Sequence, residues 1–332
     1  MIIPVALFFE QNYLIPASVA ICSLLMNSDP EHEYHIHVFF NGLSQEDVSK
    51  LERTCQPFPN SRFFSQDMKG KFTDIFERTR MKAHYTKEMY YKFLVPTLLP
   101  QHKKAIVSDV DVVFLGDVSS TFLNSIQQED TLVAGCVTPF PRDSWVATYK
   151  DQYRKHFTEE EIGKLIVGGG YYVFNLDAMR REQTEQELVR FALDNLHRLK
   201  QPEQDVISLV CSPRIEVLPL ENMICSYCYD VLVDEDSFGK VSGQSPEDVK
   251  YALENPIQLH YATWKKPWNS LTCTKSEIWH QYLFRTPFAE AYLRELEARL
   301  GKNTRWQMRL LLRRGKKLAV PLVRGLVRRF ER

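Results

Sequence analysis

The sequence has no run of apolar residues long enough to cross a bilayer, which excludes a protein built of membrane-spanning helices. Its first residues, Met1 to Pro4, have neither the basic leader nor the small-residue cleavage site of a signal peptide. We therefore expect a cytoplasmic protein. Internal repeats and low-complexity segments are also lacking. The length of 332 residues predicts one large domain or two smaller ones.

The cysteine pattern does not suggest disulfide pairing. The seven cysteines are an odd number and lie scattered along the chain, which predicts reduced, mostly buried thiols. Cys225 and Cys228 have the spacing of half a zinc site, but no second pair follows, so a zinc or redox role is the minor alternative. The phosphate-loop pattern G-x-x-x-x-G-K-[ST] is missing, which argues against a P-loop enzyme.

The net charge of zero hides an asymmetry between the body of the chain and its end. Residues 302–332 contain eleven Lys and Arg and one acidic residue, a formal charge of +10, whereas residues 1–301 carry a formal −10. Apolar and basic residues interleave there at helix-like spacing, with Pro321 as a break. This pattern predicts one or two amphipathic helices on an anionic membrane surface. A solvated tail is the alternative. Nucleic acid is not an expected partner, because the body is acidic.

Strand and helix patterns alternate through the first part of the chain. The predicted elements are, in order, a strand at 2–9, a helix at 14–27, a strand at 35–40, a helix opening at Ser44, a strand at 61–64, a helix at 90–99 and an apolar strand within 104–115. This β-α alternation predicts an α/β fold with a mostly parallel central sheet covered by helices. Ligands of such sheets bind at the carboxyl ends of the strands.

The second part of the chain continues with less regular patterns. The predicted elements are a strand at 131–137, a polar and irregular acceptor-side segment at 142–161, a strand at 168–176, helices at 181–200 and after 202, and a strand at 257–260. Gly168 and Gly169 open the strand at 168–176 in a run of three glycines. Such a run allows close approach of a ligand to the backbone, or else marks a β-bulge.

Asp109 and Asp111 interrupt the most apolar strand of the chain, with Val110 between them. At positions i and i+2 of a strand, both carboxylates would point to the same face. Two carboxylates at a strand end suit Mg²⁺ or Mn²⁺, with a phosphate completing the coordination. The alternative is a strand that ends early and leaves both residues in a solvated turn.

Four stretches, in this order and at these separations, resemble the retaining GT-A glycosyltransferases of family 8. They are Phe9-Glu-Gln-Asn-Tyr13, Ser108-Asp-Val-Asp111, Glu203-Gln-Asp205 and the segment from His260 to Trp268, which reads H-Y-A-T-W-K-K-P-W. The family includes glycogenin and the bacterial lipopolysaccharide galactosyl- and glucosyltransferases. The resemblance implies a Rossmann-like nucleotide-sugar-binding catalytic domain over residues 1–270. A C-terminal helical region at 271–332 would end in the basic tail.

The resemblance also implies roles for individual residues. Asp109, Asp111 and His260 match the ligands that hold Mn²⁺ (or Mg²⁺) against the donor diphosphate, and Lys266 matches a lysine that contacts that diphosphate. Asn12 and Tyr13 match residues that hold the ribose and stack on uracil, although Tyr13 read alone could be a half-buried aromatic. The further donor-binding candidates are Glu10, Lys92, Val110, Gly168, Gly169 and Thr263.

Glu203, Gln204 and Asp205 resemble the D-Q-D of the family and are the catalytic candidates. There the first carboxylate holds the donor hexose, and the glutamine lies near the anomeric carbon. An amide is no strong nucleophile, so same-face attack assisted by the leaving phosphate is favoured. The alternative is that Glu203 and Asp205 only cap a helix.

Several positions depart from the family pattern, and they leave the donor hexose open. Glu10 and Glu203 stand where Asp is usual, Lys92 where bacterial members usually have Arg, and Gly168 where many members have Asn.

Together these features predict a metal-dependent retaining enzyme that moves galactose or glucose from a UDP-sugar to a glycan or glycolipid. The acceptor would be lipid-linked, and the enzyme would be peripheral at the inner face of the cell membrane. The alternatives are a protein or soluble glycan acceptor, or a non-catalytic nucleotide-sugar binder at the membrane.

Overall fold

The computed structural model describes residues 1–71, 87–140, 142–230, 233–270 and 272–300. The strands in this part of the chain are β1 (Ile2–Glu10), β2 (Glu33–Asn41), β3 (Ser61–Asp67), β4 (Lys104–Ser108), β5 (Val112–Phe114), β6 (Val133–Val137), β7 (Val167–Asn175), β8 (Ile215–Val217), β9 (Ile224–Cys225) and β10 (Gln258–His260).

The central sheet has the strand order β3-β2-β1-β4-β7-β6-β8. The pairs of β1 with β2 and β4, of β2 with β3 and of β6 with β8 are parallel, whereas β7 runs antiparallel to both of its neighbours. The prediction of a mostly parallel α/β sheet is therefore confirmed. A small second sheet has the order β5-β10-β9.

Helices cover both faces of the central sheet. Their bounds are α1 (Leu14–Met26), α2 (Gln45–Cys55), α3 (Val95–Leu98), α4 (Ser119–Asn124), α5 (Asp143–Tyr153), α6 (Glu159–Lys164), α7 (Leu176–Arg181), α8 (Thr184–Asn195), α9 (Pro202–Cys211), α10 (Glu235–Ser242), α11 (Pro246–Glu254), α12 (Ser276–Leu283) and α13 (Ala289–Leu300), with 3-10 turns at Gln11–Tyr13, Lys87–Leu94, Leu220–Asn222 and Ser226–Tyr229. Ser44 caps α2 as predicted, in a capping box with Asp47.

Three predicted segments outside the central strand need correction. The segment 142–161 was expected to be irregular, but it contains α5 and the start of α6. Thr158 and Glu161 form a capping box at the start of α6, and the polar composition of the segment gave no indication of these helices. The helix expected at 181–200 is broken at Gln183, which adopts a left-handed conformation with φ of 57°. The helix expected at 90–99 is mostly a 3-10 turn followed by the short α3.

The predicted strand at 104–115 changes sheets in its middle. β4 ends at Ser108, and β5 begins at Val112 in the second sheet. Between them the Asp109 amide donates to the Gly170 carbonyl on β7, and the Asp111 carbonyl accepts from the Tyr261 amide after β10. The expectation that both carboxylates lie on one strand was therefore wrong, because the backbone bends there to join the two sheets.

Apolar side chains fill both faces of the central sheet. Along β1, Ile3, Val5 and Leu7 pack on one side and Ala6 and Phe8 on the other. Burial of such residues from both sides is what the continuous apolar runs predict. All seven cysteines are buried free thiols, as expected.

The described part of the C-terminal region is helical and packs against α1 and the small second sheet. Trp279 of α12 is fully buried with Val19 of α1 and Leu259 of β10. Within the described ranges, no helix combines the length and apolarity needed to cross a membrane. The basic tail at 302–332 lies outside the described residues.

Candidate active site

Asp109, Asp111 and His260 converge where β4 and β10 end. One ligand atom from each can be chosen so that all three lie within 4.8 Å of one another. Nε2 of His260 lies 3.6 Å from Oδ2 of Asp109 and 3.3 Å from Oδ1 of Asp111. The carboxylates are not in a solvated turn, since their side chains are 30% and 13% exposed. Two carboxylates and an imidazole at these separations fit a divalent cation such as Mn²⁺.

Two lysines take the carboxylate oxygens that face away from His260. Nζ of Lys266 lies 2.5 Å from Oδ2 of Asp111 and donates to the Tyr261 carbonyl. Nζ of Lys92 lies 2.6 Å from Oδ1 of Asp109 and 3.1 Å from Oε1 of Glu203. Asp109, Asp111 and Glu203 are thus surrounded by two ammonium groups and the His260 ring.

The protonation of this site reflects burial working against strong charge pairs. Burial disfavours the charged form of His260, but the Asp111 carboxylate outweighs it and raises the pKa of His260 to about 10. Burial also disfavours ionised Asp111, yet Lys266 and His260 hold its pKa well below its usual range. Glu203 behaves differently: its own burial prevails over Lys92 and raises its pKa to about 7. The site therefore favours positive charge beside Asp109 and Asp111.

The three glycines of β7 let the backbone approach these groups. A Cβ added at Gly170 would lie 2.5 Å from Nδ1 of His260, and one at Gly169 would lie 2.9 Å from Oε2 of Glu203. A Cβ at Gly168 would meet the Met223 side chain at 2.8 Å. Each glycine thus leaves space for a neighbouring side chain, and the pairing of β6 with β7 shifts register across the same run, as the β-bulge alternative expects. Close approach of a ligand stays a prediction.

The first turn of α9 carries the predicted catalytic triplet, and its members face different ways. Oε1 of Gln204 accepts from the Gly169 amide at 3.1 Å, and its Nε2 donates to Oγ1 of Thr138 at 3.1 Å. Asp205 is fully buried on the other side. It accepts from the Tyr153 hydroxyl at 2.8 Å and from the backbone amides of Lys200 and Gln201. Its contacts thus anchor the turn, while Glu203 and Gln204 face the glycines.

The stretch after β1 lies beside the metal-ligand set. The Tyr13 ring packs edge-on against Trp268, with centroids 5.6 Å apart. Burial and the nearby Asp111 carboxylate raise the pKa of Tyr13. Nδ2 of the exposed Asn12 donates to Oε1 of Glu10 at 3.3 Å. These groups form an open, partly aromatic wall at the carboxyl edge of the sheet.

Two of the predicted donor-binding residues offer less than expected. The Val110 side chain is buried in the core, so only its backbone can face a ligand. The Thr263 hydroxyl donates to the Lys265 carbonyl at 3.2 Å. In the His260–Trp268 segment, Lys266 contacts Asp111 and Trp268 contacts the Tyr13 ring.

Sequence reasoning missed several residues of this site. Gly170 was within reach, because it belongs to the same glycine run as Gly168 and Gly169. Thr138 and Met223, which contact Gln204 and approach Gly168, carried no sequence signal, since each reaches the site through folding alone. The same holds for Tyr172, whose ring centroid lies 5.7 Å from Nζ of Lys92. Trp264, within the His260–Trp268 segment, is 80% exposed and is the most exposed large apolar residue of the described chain.

Known proteins share this fold. The apo structure of the bifunctional glycosyltransferase WbbM has a TM-score of 0.66 at 20% identity, covering 88% of this chain and 51% of WbbM. The galactosyltransferase LgtC, solved with donor and acceptor sugar analogues, has a TM-score of 0.66 at 16% identity, covering 86% of this chain and 96% of LgtC. At such identities the likeness establishes the fold, and the GT-A prediction is confirmed.

Sequence comparison gives two further findings. General stress protein A of Bacillus subtilis (strain 168) is 22% identical over 269 residues, which are 79% of this chain and 86% of that protein. A family model described as glycosyl transferase family 8 matches residues 4–272, and this range contains each predicted site residue from Glu10 to Lys266. Because that match extends over most of the chain, the protein belongs to glycosyltransferase family 8 and is a glycosyltransferase.

Proposed function

We propose that this protein transfers galactose or glucose from a UDP-hexose to a glycan acceptor, with retention of anomeric configuration and with Mn²⁺ as cofactor. The observation that supports it most is the convergence of Asp109, Asp111 and His260, each able to offer a ligand atom within 4.8 Å of the others. Lys92 and Lys266 flank this set, and the Lys266 ammonium adds a positive charge suited to a diphosphate.

The metal would be held by Asp109, Asp111 and His260, and when bound it would stabilise the negative charge of the departing UDP. Lys266 is the residue of this chain that can bind the diphosphate directly. Its ammonium now contacts Asp111, and on a short move it can pair with phosphate oxygens instead. Asn12 and Tyr13 form the wall where the uridine would bind, with Trp268 supporting the Tyr13 ring.

The hexose would lie between the metal site and the first turn of α9. Glu203 is held by Lys92, which also donates to the Gly169 carbonyl at 2.8 Å, and this leaves Oε2 facing the glycines. The Gln204 amide is fixed by Gly169 and Thr138. Neither an amide nor a carboxylate paired with lysine is a strong nucleophile, and Asp205 is turned away. This arrangement favours same-face attack, in which the acceptor hydroxyl passes its proton to the leaving phosphate.

A lipid-linked acceptor is supported by the charge of residues 302–332, because a basic amphipathic tail would hold the enzyme at an anionic membrane. We therefore place the enzyme peripherally at the inner face of the cell membrane. A protein or soluble glycan acceptor is the alternative, and it would leave the tail without a role in catalysis.

Release of UDP from UDP-galactose and UDP-glucose, with Mn²⁺ or with EDTA, tests the proposal. We expect slow Mn²⁺-dependent hydrolysis of one donor by the wild type. Asp109→Asn and Asp111→Asn should lose roughly 10³-fold in rate, because each removes a ligand from the cation that stabilises the leaving group. Asp130→Asn, at an exposed loop position, is the matched control and should behave as wild type. Donor binding without turnover on any acceptor would contradict the transferase proposal, and unchanged activity in EDTA would contradict the metal.

A further inference from the structure

A second cluster of metal-ligating side chains lies away from the active site. His35 and His37 are on β2, and His102 is in the loop before β4. One ring nitrogen from each can be chosen so that all three lie within 4.8 Å of one another. The ring centroids are 5.3 to 6.2 Å apart, so the three imidazoles form one group.

The cluster contains polar atoms that the fold leaves unsatisfied. Nε2 of His37 and Nε2 of His102 are buried and have no hydrogen-bond partner among the described residues. His37 is only 5% exposed. A buried imidazole nitrogen without a partner loses its interaction with water and gains nothing in return. An ion coordinated by these nitrogens would remove that deficit at two positions together.

Backbone register explains why the three rings can meet. His35 and His37 lie two residues apart on β2, so their side chains share one face of the sheet. Between β2 and β4 lies β1, which pairs Pro4 with His35 and Ala6 with His37. Small side chains at these two positions leave space above β1 for the imidazoles to approach His102. Arg180 fixes the loop from the other side by donating to the His102 carbonyl at 2.7 Å.

The surroundings suit a metal ligand set. Oε1 of Glu33 lies 2.9 Å from Nε2 of His35 and is shared with Arg62. A carboxylate beside a ligating histidine is the usual way in which proteins orient the ring and raise its basicity. The Phe64 ring stacks on His37 with centroids 4.6 Å apart, which shields the site from water on one side.

We propose that His35, His37 and His102 bind a transition-metal ion, Zn²⁺ foremost, at the opposite end of β4 from Asp109. Three imidazoles and an open fourth position form a known zinc arrangement, and imidazole also accepts Cu²⁺ and Ni²⁺. Mn²⁺ prefers oxygen ligands and belongs at the carboxylate site instead. With Zn–N bonds of about 2.0–2.1 Å, tetrahedral geometry separates the nitrogens by about 3.4 Å, so small side-chain rotations suffice to close the site.

With water as its fourth ligand, the bound ion would cross-link the fold. It would tie β2 to the loop at 99–103, which joins the segment carrying Lys92 to the strand that leads to Asp109. Lys92 and Asp109, on either side of this loop, both belong to the proposed active site. The ion would therefore help to keep them in place without touching substrate.

Zinc titration of the full chain tests the inference. A chromogenic chelator supplies the competition, and metal content is measured after dialysis. We expect His102→Gln and His37→Gln to lose one equivalent of tightly bound Zn²⁺ relative to wild type. Glu33→Gln, which removes the carboxylate that His35 shares with Arg62, should bind Zn²⁺ roughly 10- to 100-fold more weakly. His197→Gln, at an exposed position on the surface, is the matched control and should keep the full equivalent.

Two further measurements separate this site from the others. Zn²⁺ should raise the thermal unfolding temperature of wild type and of Asp111→Asn, and leave that of His102→Gln unchanged. Because His102 is only partly buried, its substitution tests the site even where His37→Gln does not fold. Equal zinc content in His102→Gln and wild type would overturn the inference. So would a wild type that binds no zinc, or zinc that disappears in Asp111→Asn and persists in His102→Gln.

Discussion

His260 and Lys266 approach the same carboxylate, Asp111, with different chemistry. His260 brings an imidazole nitrogen 3.3 Å from Oδ1, where a metal would be shared between them. Lys266 brings an ammonium 2.5 Å from Oδ2, where it neutralises charge and can exchange Asp111 for a phosphate. His260 is therefore suited to binding the metal ion, and Lys266 is suited to binding the diphosphate that the metal ion would also contact.

This difference predicts separable phenotypes. His260→Ala should weaken Mn²⁺ binding in the presence of UDP by about 100-fold, because it removes one ligand of three. Lys266→Ala should lower turnover by about 10²-fold and leave Mn²⁺ binding largely intact, because the lysine stabilises charge on the leaving group. Calorimetry of Mn²⁺ with UDP, together with steady-state rates, measures both effects.

Lys265→Ala is the control for Lys266→Ala, since the Lys265 ammonium lies over the exposed Trp264 ring and contacts none of the metal ligands in the described chain. Equal Mn²⁺ affinity in His260→Ala and wild type would remove His260 from the ligand set.

At the scale of elements, β7 is the strand around which the proposed active site is arranged. It pairs with β4, whose end leads to Asp109, and its glycines face His260 and Glu203. Any side chain at these positions would occupy the space of a functional group. The run of small residues is thus required by packing in the site rather than by backbone conformation, because positive φ angles are found elsewhere.

Gly170→Ala should therefore damage metal binding more than folding. Its Cβ would lie 2.5 Å from Nδ1 of His260, which forces the ring out of place. We expect Mn²⁺ affinity to fall by at least 10-fold, by analogy with lost orienting contacts. The unfolding free energy should drop by about 1–3 kcal/mol from overpacking. Mn²⁺ titration and chemical denaturation measure these changes.

Gly163 in α6 provides the comparison, because a Cβ there meets nothing within 4 Å. Gly163→Ala should keep Mn²⁺ affinity and gain up to about 1 kcal/mol of stability from helix propensity. A Gly170→Ala protein with wild-type Mn²⁺ affinity would show that His260 does not need its present position.

The contact between α12 and α13 predicts a pH dependence of stability. His280 is buried, with Nδ1 2.7 Å from the Ser276 carbonyl oxygen and Nε2 2.9 Å from the Tyr292 hydroxyl. Burial lowers its pKa to about 4, against an ordinary value near 6.5 in the unfolded chain. The unfolded state therefore binds the extra proton first as the pH falls.

The stability contributed by neutral His280 should be complete above pH 6.5 and should be lost as the pH falls from 6.5 to 4. The difference amounts to about 3 kcal/mol at most. Denaturation at several pH values should show a shallower pH dependence for His280→Gln than for wild type. His197→Gln, at an exposed position, should keep the wild-type slope. Parallel curves for all three proteins would rule out His280 as a source of the acid sensitivity.

At the scale of the whole molecule, charge is divided between an acidic body and a basic end. The formal −10 of residues 1–301 should be repelled by an anionic leaflet, while the formal +10 of residues 302–332 should be attracted to it. This division would orient the enzyme with its tail toward the membrane. Because the tail lies outside the described residues, its helical form stays a prediction from sequence.

A protein ending at Gly301 tests the membrane prediction. Each basic residue near an anionic surface contributes about 1 kcal/mol, so losing eleven of them should abolish binding to anionic vesicles. Hydrolysis of the UDP-sugar should persist, whereas transfer to a lipid-linked acceptor in vesicles should be lost. Co-sedimentation at low and high salt is the measurement, and salt should weaken the electrostatic part of binding. The full chain with neutral vesicles serves as control, and equal sedimentation of the shortened protein would show that the anchor lies elsewhere.

Much of this protein could be predicted from its sequence, because the determining interactions are local. Apolar periodicity and the helix cap at Ser44 predicted most strands and helices, since both signals depend on residues that are close in sequence. The alternation of strands with helices then implied a mostly parallel sheet with ligands at one edge. Four stretches in a fixed order, from Phe9–Tyr13 to His260–Trp268, were sufficient to identify the family, which the family model confirms. The metal-ligand candidates came from the same resemblance.

Tertiary structure alone decided the features that depend on contacts distant in sequence. Asp109 and Asp111 converge on His260 because the chain bends between two sheets, not because they share a strand. Gly170 matters only because β10 brings His260 against it, and Thr138 reaches Gln204 across elements 66 residues apart. The approach of His102 to His35 and His37 likewise depends on strand order, with small residues on β1 between them. No local pattern encodes such distances, because they are set by how the sheets, helices and loops pack together.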